Sequence, residues 1–206
     1  MHTITIPGTD LRVSSICMGT ALLGSEIDQA SSFALLDEYV EMGGNFLDSA
    51  LIYANWLPQY EPSASEKTIG RWMCARNNRP SIVVGTKGAY PDFSALEKPR
   101  LSKTDITYDL ERSFANLGAD CIDLYWLHRD DPSRPVSEII ETLNNLTAKG
   151  YIRFFGCSNW HCDRIRAAQE FAVQNGMGFP HLSYPRQGRI REPGYHPQGW
   201  HSFGDE

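Results

Sequence analysis

Long apolar runs and basic clusters are both missing from these 206 residues. No stretch approaches the roughly 18 apolar residues of a membrane-spanning helix, so no membrane partner is expected. Lysine and arginine total 19 against 25 aspartates and glutamates, a net charge of −6. That balance disfavours a nucleic-acid or anionic-membrane surface, and an anionic substrate would need a local basic site. The N-terminus, MHTITIPGTDLRV, has no basic segment leading into an apolar stretch, so no secretory leader is expected. Cysteine is scarce and odd in number: Cys17, Cys74, Cys121, Cys157 and Cys162. Mostly embedded in apolar runs, they read as reduced thiols of a cytoplasmic protein. Also absent is a GxGxxG opening a helix after the first strand, which leaves a doubly wound dinucleotide fold with little support.

What is present is an alternation. Residues 2–6 and 11–14 flank Pro7-Gly8-Thr9-Asp10 and read as a β-hairpin. Strands are then expected at 16–20, 45–50, 81–87, 121–128 and 151–159, with helices at about 27–42, 65–73, 104–117, 136–149 and 163–174. The strands are too apolar to alternate, so both faces should be buried, as in a parallel sheet covered by helices. Five strand–helix units in succession predict a (β/α)8 barrel of the TIM type, with the hairpin capping its bottom. The barrel is expected to be incomplete, with five to six units over residues 1–176. From Met177 to Glu206, Gly, Pro, His and Arg crowd together. That composition predicts an irregular or disordered tail, with at most a short strand at 179–184.

In such a barrel the C-terminal strand ends form the reactive face. Those ends carry Gly19-Thr20, Asp48, Lys87, His128 and Ser158-Asn159, and Tyr53 follows in the loop after FLDSA. Each has an ordinary structural explanation alone. Together they bring a carboxylate, a phenol, an ammonium and an imidazole to one face, a set that suits carbonyl reduction. Hydride addition requires a positioned acid for the developing alkoxide. A tyrosine with a pKa of about 10 is a reluctant donor, and a neighbouring ammonium makes it a better one. The carboxylate would orient the lysine, and a neutral histidine would hold the substrate oxygen.

At these residues the sequence resembles the aldo-keto reductase family, through FLDSALIY (46–53), VVGTKG (83–88), IDLYWLHRDD (122–131) and KGYIRFFGCSNW (149–160). The resemblance runs to about residue 176. It implies a (β/α)8 barrel, a small-molecule carbonyl substrate and NADPH as cofactor. It also implies Tyr53 as acid, Lys87 and Asp48 tuning it, and His128 orienting the carbonyl. Gly19, Thr20, Asp48, Ser158 and Asn159 would meet the nicotinamide end. The family's phosphate-gripping loops have no recognisable counterpart after Gly176, and nothing places Arg186, Arg189 or Arg191 at a phosphate. A truncated or frame-shifted member, with exposed sheet edges, is therefore expected. Oligomeric state and substrate identity are not fixed. The alternative to an enzyme is a catalytically silent barrel fragment acting as a binding or regulatory module. A Schiff-base enzyme built on Lys87 would leave Tyr53 and Ser158-Asn159 unexplained. A zinc site from Cys157, His161 and Cys162 lacks a fourth ligand.

Overall fold

Apolar, β-branched segments separated by capped helices build a sheet in chain order. The computed structural model describes residues 1–178 and the backbone of Ser183–Tyr184. Strands β1 (Thr3–Thr5) and β2 (Arg12–Ser14) form the antiparallel hairpin. The main sheet is parallel and six-stranded: β3 (Met18–Gly19), β4 (Phe46–Asp48), β5 (Val83–Gly88), β6 (Ile122–Leu127), β7 (Ile152–Ser158) and β8 (Ser183–Tyr184). Each strand pairs with the next in sequence. Helices α1 (Gln29–Glu41), α2 (Ala64–Arg76), α3 (Lys103–Leu117), α4 (Val136–Ala148) and α5 (Cys162–Gln174) fill the intervals. This is the expected architecture of an incomplete (β/α) barrel.

The local signals are physical. Asp28 caps α1 by accepting from Ser31 N at 2.8 Å, and Ser102 caps α3 by accepting from Asp105 N at 3.1 Å. Gly43, at φ 86°, ends α1 as expected. Gly44 is small for a different reason. A Cβ there would lie 2.4 Å from the Tyr39 ring. That ring carries its hydroxyl to Ile16 O (2.7 Å) and Phe46 O (2.8 Å), binding α1 to both edges of the first crossover.

The core has two layers, which explains the absence of alternation. Outside the sheet, Leu47, Val84, Tyr125, Leu127 and Phe155 pack against Leu36, Ile69, Trp72, Ile106, Leu110, Ile139 and Leu143 of the helices. Each fully buried side chain of this kind contributes about 1.5–3 kcal/mol. Inside, Val83, Leu124 and Trp126 meet Ile6, Leu11 and Val13 of the hairpin, which closes the lower end of the sheet. Arg153 ties this end together, reaching Asp123 and Asp10 at 2.9 Å each.

Strand limits differ from the expected ones. Only Met18–Gly19 of residues 16–20 is strand, and Ser49-Ala50 and His128 lie beyond their strands. Ser81 belongs to a short 3-10 turn (Arg79–Ser81). Backbone bonds to the neighbouring strand continue past these limits, from Ser49 N to Gly85 O at 2.8 Å and from His128 N to Gly88 O at 2.9 Å. Past the expected boundary at 176, Gly178 N donates to Asn144 Oδ1 at 2.9 Å and Met177 packs on the core. The two residues of β8 fall within the expected short strand at 179–184. The rest of the expected tail over 177–206 lies outside the described residues. Among the described residues no helix is long and apolar enough to cross a membrane.

Candidate active site

Parallel register sets neighbouring strands so that their last residues converge. Gly19 pairs with Asp48, Asp48 with Gly85, and Lys87 with Trp126. Asp48 and Lys87 thus project from adjacent strands and are 7% and 3% exposed. The Lys87 ammonium donates to Asp48 Oδ2 (2.7 Å), Ser49 O (2.7 Å) and Tyr53 Oη (3.1 Å). Its nitrogen also lies 4.8 Å from the Tyr53 ring centroid. Burial alone would lower the Lys87 pKa, but Asp48 and Tyr53 outweigh it and hold the ammonium above its ordinary value. Burial pushes the Asp48 carboxyl up, and Lys87 opposes that rise. Since the phenol oxygen accepts from an ammonium, its O–H is left to donate outward.

His128 stands just past β6, with ring centroids 6.4 Å from Tyr53 and 5.0 Å from Tyr90. Desolvation, then Lys87 and Arg129, lower its pKa to about 3. The imidazole is therefore neutral near pH 7. Its Nδ1 is buried without a hydrogen-bond partner among the described residues. Asn159 donates from Nδ2 to His128 O (3.1 Å) and Ser158 Oγ (2.8 Å), tying the β7 end to the β6 end. The structure thus brings Asp48, Tyr53, Lys87, His128, Ser158 and Asn159 to one face. Gly19 joins them through the backbone. Thr20 is committed elsewhere: its hydroxyl donates to Asp48 O (2.9 Å) and lies 2.8 Å from Ser65 Oγ. It supports the Asp48 backbone from behind.

Several contributors carry no local sequence signal. Ala54, Ala89 and Asn159 all have positive φ (72°, 60° and 63°); Ala89 and Asn159 directly follow the ends of β5 and β7, and Ala54 follows Tyr53 in the loop after β4. Left-handed L-residues cost about 1–2 kcal/mol each, so the surrounding contacts must hold them. For Ala89 the contact is visible: its N–H donates to Asp109 Oδ2 at 2.8 Å, and Arg100 grips that carboxylate at 2.7 and 3.1 Å. Behind Lys87, the buried Glu66 accepts from Thr86 (2.6 Å), Ser113 (2.7 Å) and Asn116 (2.8 Å). Burial raises its carboxyl and these three bonds pull it back. Asp109 and Glu66 sit in helices where a carboxylate reads as a solvated face.

Two concavities border the barrel axis. One, of about 250 Å3, lies between the hairpin and the inner sheet face, lined by Asp48, Cys17, Phe46, Leu124 and Trp126. The larger, of about 600 Å3, opens at the opposite end of the strands. There Arg79 and Arg153 both pair with Asp123 at 2.9 Å. The Cys157 side chain turns away from the strand-end face into the helix-covered core, and burial raises its thiol to about 12.

Comparison with known proteins agrees with this geometry. The sequence profile described as the Aldo/keto reductase family matches residues 15–179. Norsolorinic acid reductase A of Aspergillus parasiticus is 32% identical over 191 residues, covering 85% of this chain and 47% of that protein. Norsolorinic acid reductase stcV of Emericella nidulans is 31% identical over 191 residues, with the same coverages of 85% and 47%. Aldo-keto reductase ausK of Aspergillus calidoustus is 31% identical over 190 residues, 85% of this chain and 46% of that protein. The chain spans about half the length of the curated relatives it matches.

Proposed function

The chain belongs to the aldo/keto reductase family, and from that premise we propose that its strand-end cluster performs NADPH-dependent reduction of aldehyde or ketone carbonyls to alcohols. The observation that carries the reading is the Lys87 ammonium, which holds both Asp48 Oδ2 and Tyr53 Oη. With its oxygen polarised in this way, Tyr53 donates its proton to the carbonyl oxygen as negative charge develops there. Asp48 keeps Lys87 charged and aimed. His128, neutral at physiological pH because of its burial, hydrogen-bonds the same oxygen and fixes the carbonyl plane.

The described residues suit the nicotinamide end of a cofactor. Asn159 has spent its amide N–H donors on His128 O and Ser158 Oγ. Its Oδ1 and the Ser158 hydroxyl remain to pair with a carboxamide, which both donates and accepts. When bound, NADPH supplies the hydride. Its choice over NADH rests on the family resemblance. Residues 1–176 are the proposed reductase unit, placed in the cytoplasm by their cysteine usage.

The test is Tyr53→Phe, with NADPH absorbance followed on an aromatic aldehyde. The rate should fall about 100-fold or more while NADPH binding persists. An undiminished rate removes the phenol from the mechanism. NADPH binding without turnover by the unsubstituted chain would favour the silent binding module instead.

A further inference from the structure

Among the arginines near the sheet ends, most are saturated. Arg79 and Arg153 hold Asp123, Arg100 holds Asp109, and Arg164 holds Asp130. Arg129 differs. It follows His128 directly, yet among the described residues it forms no ion pair, and its hydrogen bond to His128 O is long at 3.4 Å. The two carboxylates beside it in sequence are drawn away. Asp130 accepts from Arg164 Nε through both oxygens at 3.2 Å. Asp131 accepts from Ser133 N (3.1 Å) and Oγ (2.5 Å), with Arg134 at 3.8 Å.

The guanidinium is held in a defined place. Its Cζ lies 4.9 Å over the Tyr90 ring, and Tyr90 packs edge-on against His128 at 5.0 Å. Arg129 is also close enough to help lower the His128 pKa. A planar cation with five donors and one weak internal acceptor therefore stands beside the imidazole that would hold the carbonyl. Tyr90 packs in turn against Phe93, with ring centroids 5.6 Å apart. The net charge of −6 repels an anion at long range, so an anionic ligand requires such a local fork.

We infer that Arg129 is a specificity residue that receives an anionic group, a carboxylate, on the carbonyl substrate. The carbonyl is oriented at Tyr53 and His128, and the carboxylate meets the guanidinium in a paired, charge-assisted contact. The inference rests on the reductase reading for its carbonyl chemistry, but its test does not require turnover.

Quenching of intrinsic fluorescence measures binding of para-formylbenzoate and its methyl ester, which share a ring and an aldehyde and differ in charge. The acid should bind the unsubstituted chain at least about 10-fold more tightly, equivalent to about 1.4 kcal/mol, and only the acid should weaken with added salt. Arg129→Met should bring the ratio to about one, and Arg129→Lys should restore part of it. A ratio near one in the unsubstituted chain, or one that survives in Arg129→Met, overturns the inference. So does an Arg129→Met effect confined to NADPH binding, which would assign the guanidinium to the cofactor. Parallel turnover assays separate the two readings. Reduction of both aldehydes without preference for the acid sinks this inference alone. Tight, Arg129-dependent acid binding with neither aldehyde reduced sinks the reductase reading and leaves the anion site standing.

Discussion

Lys87→Met keeps most of the apolar stem and deletes an ammonium with three acceptors. Among the described residues Lys87 is the cation paired with Asp48. Its loss strands a carboxylate that is 7% exposed. Breaking a buried pair from one side costs about 3–5 kcal/mol, about a fifth or more of the about 5–15 kcal/mol that holds a typical domain folded. Asp48→Asn breaks it from the other side. The ammonium then keeps Ser49 O and Tyr53 Oη, so the cost should be that of one charge-assisted bond, about 1.5–3 kcal/mol. The double variant buries no charge and should lose far less than the two single losses combined. The coupling energy should therefore be about 3 kcal/mol. Urea unfolding at pH 8, followed by tryptophan fluorescence, measures all four corners of the cycle. Lys87 is held above its ordinary 10.5. Its contribution is therefore whole below that value and fades only as pH rises through the raised one. Single losses that add to within about 0.5 kcal/mol would refute the claim that the pair acts as a unit.

His128 makes the chain acid-sensitive. Its pKa falls from 6.5 to about 3 on folding, so stability is intact above 6.5 and declines as pH drops toward 3, by at most about 1.4 kcal/mol per pH unit. His128→Gln should flatten urea midpoints between pH 7 and 4; equal slopes in both proteins would contradict the buried neutral imidazole. Glu66→Ala strands the Thr86, Ser113 and Asn116 donors and should cost about 3–9 kcal/mol, at about 1–3 kcal/mol per unmet group. Glu66→Gln should stay within about 1 kcal/mol. It should also remove a loss of stability that the raised Glu66 pKa imposes as pH rises above 4.5. A Gln variant as damaged as the Ala variant would show that charge, not hydrogen bonding, is what those donors require.

The strands were legible because burial on both faces leaves uninterrupted apolar runs: β5 and β6 are buried at every position. A polar residue ending such a run is conspicuous, which is why Asp48, Lys87, His128 and Ser158 could be read from sequence. Tyr53 was legible only through its spacing from Asp48. Glu66 and Asp109 were not, because a carboxylate every few residues is ordinary in a helix. Their burial depends on what α2 and α3 press against: a Cβ on Gly70 would come within 2.2 Å of Asn116 O. That the Thr20 hydroxyl bonds Asp48 O and Ser65 was not legible, because its partners lie 28 and 45 residues away in sequence. The left-handed turns at Ala54 and Ala89 were invisible, since alanine gives no sign of positive φ. Arg129 sat in a charged run whose members are separated only by their partners in space.

The chain-ordered sheet also has an entropic consequence. Every hydrogen-bonded neighbour in it is the next strand along the polypeptide. Joining Lys87 to Asp48 closes a span of 39 residues, and joining it to Tyr53 closes one of 34. Closure entropy grows only with the logarithm of such lengths, and a parallel pair needs a crossover of a dozen residues or more in any case. The Asp48–Tyr53–Lys87 cluster is thus assembled within a single crossover. The Arg153–Asp10 tie, by contrast, spans 143 residues. Topologically, the chemistry is local and the cap is remote.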